Sequence, residues 1–70
     1  MKNILVIGST GQIGSELTKK LREIYGGNHV VAGYIKGAEP KGELAEGGPK
    51  AECDVTNPQM IADVVKQYNI

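Results

Sequence analysis

The sequence has no net charge, because 8 basic residues balance 8 acidic ones. A chain so balanced has no field with which to gather a polyanion, which argues against binding to nucleic acid or to an anionic membrane surface. Cysteine is almost absent: Cys53 stands alone, which excludes an internal disulfide and a cysteine metal cluster and fits a reducing compartment. Its simplest role is that of a small buried apolar residue, since no basic neighbour in sequence lowers its pKa. Long apolar runs are missing too. Nothing approaches the ~18 residues of a membrane span, and Met1-Lys2 leads straight into a strand-like run with no room for a leader segment. Together these absences predict a cytoplasmic protein. A chain this short buries only about 60% of the surface its unfolded form exposes, so its core is marginal.

The informative residues begin at once. Ile4-Leu5-Val6-Ile7 is a wholly apolar, largely β-branched run of the kind a parallel sheet buries on both faces. Gly8-Ser9-Thr10-Gly11-Gln12-Ile13-Gly14 follows, and then a helical pattern, so the order is strand, glycine turn, helix. Gly8 permits backbone angles closed to other residues, Gly11 lets a ligand approach the main chain, and Gly14 lets the helix pack close to the strand. The free N–H groups of Gln12 and Ile13, with the positive end of the helix dipole, then form a cradle for a pyrophosphate. The spacing, Gly-x-x-Gly-x-x-Gly, differs by one residue from the commonest dinucleotide fingerprint, and the strand before it and helix after it supply the context that fingerprint requires.

Farther along, the first helix is predicted from Gln12 to Tyr25, with Ile13, Leu17, Leu21 and Ile24 on its buried face. Glu16, Lys19, Lys20, Arg22 and Glu23 form a solvated face, and Glu16 and Lys20 make an i,i+4 pair. Gly26-Gly27-Asn28 stops the helix. His29 to Tyr34 reads as a second strand, parallel to the first through a right-handed crossover. The lone His29 reads as a boundary residue, and no metal site is expected. Ile35 to Pro49, with Gly37, Pro40, Gly42, Gly47, Gly48 and Pro49, reads as a long mobile loop without helix or strand. Lys50 to Asp54 is a short third strand with Ala51 and Cys53 inward. Thr56 or Asn57 caps a last helix that opens on Pro58 and buries Ile61, Val64, Val65 and Tyr68. Asp54 then lies at the carboxyl end of a parallel strand, on the edge where ligands bind in open α/β sheets, as either a turn residue or a contact to a nucleotide base.

Ile4 to Gly14, Glu16-Leu17 and Cys53-Asp54-Val55-Thr56 together resemble the start of the extended short-chain dehydrogenase/reductase family, which includes the NAD-dependent epimerases and dehydratases. Within it, Gly11-Gln12-Ile13-Gly14-Ser15-Glu16-Leu17 and Leu21-Arg22-Glu23-Ile24-Tyr25-Gly26 are similar to the short-chain L-threonine 3-dehydrogenase branch, with nucleotide-sugar epimerases as near relatives. The resemblance covers residues 1–70 as the first part of one Rossmann-type NAD(P)-binding domain: an α/β, three-layer parallel sheet cut short at β-α-β-β-α. It implies that Gly8, Gly11, Gln12, Ile13 and Gly14 hold the pyrophosphate of NAD and that Asp54 and Val55 hold its adenine.

Two departures qualify the resemblance. The family usually ends its second strand on an acidic residue that binds the adenosine ribose, and here Tyr34 stands in that place; with Lys36 nearby, NADP becomes an alternative to NAD. The family also places a Ser or Thr and a Tyr-x-x-x-Lys pair far downstream, and neither lies within these 70 residues. The expectation is a dinucleotide-binding segment with no catalytic residues, from an oxidoreductase that transfers hydride from a secondary alcohol. The alternatives are a segment of a nucleotide-sugar epimerase/dehydratase, or a small binding or interaction module without chemistry. In this strand order the first strand is left at an open edge, which predicts self-association through Ile4 to Ile7.

Overall fold

The computed structural model describes residues 3–70. Strand β1 (Ile4–Ile7), helix α1 (Gln12–Tyr25), strand β2 (Val30–Tyr34), one-turn helix α2 (Glu43–Glu46), strand β3 (Lys50–Glu52) and helix α3 (Pro58–Gln67) follow one another along the chain, with a 3-10 turn over Gly27–His29. The three strands are parallel and lie in the order β1-β2-β3. This is the α/β, Rossmann-like arrangement expected, with α2 added. Among the described residues no helix is long and apolar enough to cross a membrane.

The central strand carries the core. Val30, Val31 and Ala32 are fully buried, and Val6, Cys53 and Val64 close around them. The apolar run of β1 predicts burial on both faces, but only Val6 is buried and Ile7 is 44% exposed. The reason is position: β1 has a neighbour on one side only, so one flank of each of its residues has nothing to pack against.

Helix α1 keeps its predicted limits but not its predicted face. Ile13 is 82% exposed, Leu17 and Ile24 are also exposed, and Leu21 is half-buried. The buried residues are Thr18 and Arg22. Gly14 explains the rotation. A Cβ built there would stand 2.1 Å from the carbonyl oxygen of Gly8, so only a glycine can face the turn, and the positions one and two turns on, Thr18 and Arg22, must then face the sheet. Neither breaks the rule against buried unsatisfied polar groups, because Thr18 donates to the Gly14 carbonyl at 2.7 Å and Arg22 is fully employed.

The Arg22 guanidinium donates from Nε to Val30 O (3.2 Å), from Nη1 to Leu44 O (2.6 Å) and from Nη2 to Pro49 O (2.8 Å). These carbonyls belong to β2, to α2 and to the residue just before β3. One side chain placed on the solvated face by charge alone therefore ties three segments to α1. Burial pushes its pKa down from the ordinary value, yet a guanidinium keeps its proton at any pH where the protein is folded.

This anchoring also corrects the expectation of a structureless mobile loop over residues 35–49. Its far end crosses the 3-10 turn backbone against backbone: a Cβ on Gly48 would meet Gly27 O at 2.2 Å. Lys50 pairs with Glu39 at 2.9 Å, and Lys19 with Glu43 at 3.3 Å. On α1, Lys20 pairs with Glu23 at 4.0 Å rather than with Glu16; such exposed pairs contribute little.

Helix α3 opens as predicted, with Pro58 at its first position and Asn57 accepting from the Met60 N–H at 3.2 Å. Val64 is buried, Ile61 and Tyr68 are half-buried, and Val65 is exposed, contrary to its predicted burial. The helix returns to the foot of the sheet, where Asn3 N donates to Asn69 O at 3.0 Å and Asn3 Nδ2 to Tyr68 O at 2.6 Å. Asn3 Oδ1 is thereby left to accept from His29 Nδ1 at 3.0 Å, which gives the boundary histidine its partner and its tautomer.

Arg22→Met should be far more damaging than its surface-like sequence context suggests. It leaves the buried Val30 carbonyl unsatisfied at about 1 to 3 kcal/mol and removes the bonds to the half-buried Leu44 and Pro49 carbonyls, in a domain whose whole stability is roughly 3 to 5 kcal/mol. Urea unfolding followed by circular dichroism should show loss of most of the transition; an unchanged midpoint would contradict the arrangement described.

Candidate functional site

Because the strands are parallel, their carboxyl ends share one edge. On it stand the glycine turn after β1, Tyr34 at the end of β2 with Lys36 just beyond, and Asp54 and Val55 after β3. The residues singled out from sequence are thus collected at a single edge. Ile7 pairs with Gly33 and Tyr34 with Glu52; beyond Ile7 the chain leaves the ladder, and Ser9 N donates to Gly33 O.

The three turn glycines answer to three different constraints. Gly8 has φ +77°, a conformation costly for any residue with a side chain. Gly14 is required by the contact with Gly8 O described above. Gly11 is required by neither: it has φ −72° and ψ 166°, and a Cβ there would lie an ordinary 3.4 Å from Gly8 O. Nothing inside the protein forbids a side chain at Gly11. What a side chain would occupy is the exposed space over the start of α1.

That space is lined with donors. The first helical hydrogen bond of α1 runs from Ser15 N to Gly11 O at 2.8 Å, so the N–H groups of Gln12, Ile13 and Gly14 precede the helical ladder. No side chain caps them, and the first turn contains no acidic residue. The partial positive charge of the helix end is therefore uncompensated and turned toward the edge. Ser9 holds the turn in place: it is fully buried, and both its N–H (3.0 Å) and its hydroxyl (2.9 Å) donate to Gly33 O. Sequence reasoning passed over Ser9, since a serine between two glycines looks like any other turn residue.

Asp54 is half-buried at the head of the β3–α3 turn. Its Oδ1 accepts from Thr56 N at 2.9 Å and Thr56 Oγ1 at 2.7 Å, and these bonds hold its pKa below the ordinary carboxylate value. The turn role is thus filled by one carboxylate oxygen, and Oδ2 has no partner among the described residues. Val55 is exposed beside it. Cys53 is buried, and burial, then the neighbouring Asp54 charge, push its thiol pKa up, the opposite of what a reactive thiol needs. Among the described residues no three His, Cys, Asp or Glu side chains gather where a metal could bind.

Away from this edge, an open depression of about 220 Å³ is lined by Lys19, Arg22, Glu23, Gly27, Glu43 and Gly47. Its charges are already committed to each other or to carbonyls, which leaves it without a polarity to recognise a ligand.

A cradle of open N–H groups on a helix start, against a parallel sheet edge, is the arrangement on which dinucleotides are held. The model of the NAD dependent epimerase/dehydratase family matches residues 4–70. The chain belongs to this family. An epimerase/dehydratase of Staphylococcus epidermidis is 39% identical over 69 residues, covering 99% of this chain and 21% of the relative; one from Staphylococcus aureus (strain USA300) is 39% identical over 97% of the chain and 21% of the relative. Among solved structures, L-threonine dehydrogenase from Clostridium difficile superposes with a TM-score of 0.81 at 40% identity, over 100% of this chain and 22% of that one. The GalE-like L-threonine dehydrogenase from Cupriavidus necator gives 0.82 at 32% identity, over 97% and 21%. This epimerase/dehydratase chain thus resembles the N-terminal NAD-binding region of those enzymes, and it spans about a fifth of the length of the relatives it matches.

The separate demands on the glycines are testable. Gly14→Ala should destabilise the fold by about 1 to 3 kcal/mol, since the added methyl meets backbone, whereas Gly11→Ala should unfold at the same urea concentration as the parent or slightly higher. Equal losses at both positions would mean that α1 does not sit against Gly8. Asp54 offers a pH signature: its carboxylate turn is at full strength above the ordinary carboxylate pKa of about 3.9 and is lost as pH falls through the lower folded value. The Thr56 amide resonance should report that transition, and it should be absent in Asp54→Ala.

Proposed function

We propose that this chain binds the adenosine diphosphate portion of NAD at the carboxyl edge of its sheet, as the nucleotide-binding segment of an oxidoreductase of the L-threonine dehydrogenase kind. One observation carries the reading: Gly11, free of any internal need to be glycine, keeps open the space into which the uncapped N–H groups of Gln12 and Ile13 point. The pyrophosphate fits there, the ribose lies toward Tyr34 and Lys36, and the adenine lies toward Asp54 and Val55, where Asp54 Oδ2 is an available acceptor. Bound NAD supplies a nicotinamide that takes or returns hydride. NADP is the alternative cofactor, because Tyr34 lacks the charge that repels a 2′-phosphate and Lys36 attracts one. A second reading, a segment of an epimerase/dehydratase acting on nucleotide sugars, is favoured by the descriptions of the staphylococcal relatives. A cytoplasmic setting goes with either reading, the single Cys53 being unable to form an internal disulfide.

These residues position a cofactor but contribute no acid or base for the chemistry. The family pair needs tyrosine with lysine four residues later on one helix face; Tyr25 closes α1 and is followed at that spacing by His29, and Tyr68 lies past the end of α3. The 70-residue chain should therefore form no NADH from L-threonine and should not epimerise nucleotide sugars, and substrate-dependent NADH production by the purified chain would sink this reading.

Binding of NADH should be weak, millimolar or poorer, because in this fold the crevice at the switch point is bounded by a strand on each side of the first and β1 here has a neighbour on one side alone. Gly11→Val should abolish it without unfolding the protein. Fluorescence titration measures both, and survival of binding in Gly11→Val would remove the glycine turn from the site.

The same open edge leads us to propose self-association through β1. Ile4 to Ile7 offers unpaired backbone with no charge, proline or bulge to protect it, and Ile7, Ile13 and Leu17 are exposed apolar side chains. Sedimentation should show species larger than a monomer, reduced by Ile7→Lys. A cooperative monomer at high concentration would refute the proposal.

A further inference from the structure

We infer that Glu52 makes the site select a dinucleotide bearing a free 2′-hydroxyl over one bearing a 2′-phosphate, a role that Tyr34 has lost; this rests on the nucleotide site proposed above. The register places it. Tyr34 pairs directly with Glu52, so the two form a row at the carboxyl edge on strands about 4.8 Å apart. Residues paired in register point to the same face of a sheet, which puts the Glu52 side chain beside that of Tyr34. The carboxylate missing at the end of β2 is therefore supplied one strand over.

The charges around that row separate Glu52 from its competitors. Glu39 is engaged by Lys50 at 2.9 Å, and Asp54 Oδ1 by Thr56. Glu52 is exposed and has no hydrogen-bond or ion-pair partner among the described residues, so its charge acts on whatever approaches the edge. Lys36 carries the opposing charge, but on a turn: Ala38 N donates to Ile35 O at 3.0 Å, and Gly37 has φ +91°, so Lys36 extends from a loop tip. Across roughly 8 Å of water a carboxylate disfavours a doubly charged phosphate about fivefold, and salt weakens the effect.

The test is a pair of NMR titrations of the intact chain with NAD and with NADP at equal ionic strength, following the amides of Gly11 to Gly14 and Tyr34. The parent should bind NAD roughly fivefold more tightly, Glu52→Gln should bring the two together chiefly by tightening NADP, and Glu52→Lys should reverse the order. Preference of the parent for NADP would overturn the assignment, as would a ratio that Glu52→Gln leaves unmoved or that only Lys36→Ala shifts. If neither nucleotide moves those amides in the parent, the nucleotide site itself fails and this assignment falls with it; if both bind with an unmoved ratio, only Glu52 is excluded. Glu52 is exposed, so a well-dispersed spectrum of each variant separates a lost preference from a lost fold.

Discussion

The contact between Gly14 and the Gly8 carbonyl is the constraint from which the remaining architecture follows. With no side chain between them, α1 lies close against the β1 turn, and that closeness fixes the helix rotation. Once the rotation is fixed, the residues brought onto the sheet are those at helical spacing from Gly14, whatever their polarity. They are Thr18 and Arg22. A buried threonine satisfies its hydroxyl within its own helix, but a buried arginine needs external acceptors, and it finds them on β2, α2 and the approach to β3. One steric requirement at the glycine turn thereby organises the crossover at the opposite end of the sheet.

The two ends of the sheet have different work. At the foot, Asn3 joins His29, Tyr68 and Asn69, closing a ring of polar contacts between the entrances of β1 and β2 and the end of α3. Every partner there is a protein group. At the carboxyl edge the reverse holds: the α1 donors, one Asp54 oxygen and the Glu52 carboxylate have no such partner among the described residues. Stabilising contacts gather where the chain closes on itself, and unspent polar capacity gathers where a ligand can reach it. The division fits the resemblance to the N-terminal region of L-threonine dehydrogenases.

The edge position of β1 limits the core. Its four apolar residues are built for neighbours on both sides, yet the strand order supplies one, and the exposure of Ile7 follows from it. The relatives the chain matches are about five times its length.

Element type and order were legible in the sequence because they rest on short-range physics. An apolar β-branched run, a glycine turn, Pro58 after a capping Asn57 and a glycine stop at Gly26 each act within a few residues, and all stand where the pattern places them. So does the collection of the glycine turn, Tyr34, Lys36, Asp54 and Val55 on one edge, since parallel strands force it. Local pattern could not settle which face of α1 turns inward, because the stripe through Ile13 and Leu17 and the stripe through Gly14 and Thr18 lie one residue apart, and the approach of Gly14 to the Gly8 carbonyl decides between them. Nor could it show that Arg22 is buried, that residues 35–49 are tied down, or that Glu52 stands beside Tyr34. Each depends on which segments meet across the sheet, and only the packed tertiary structure fixes that.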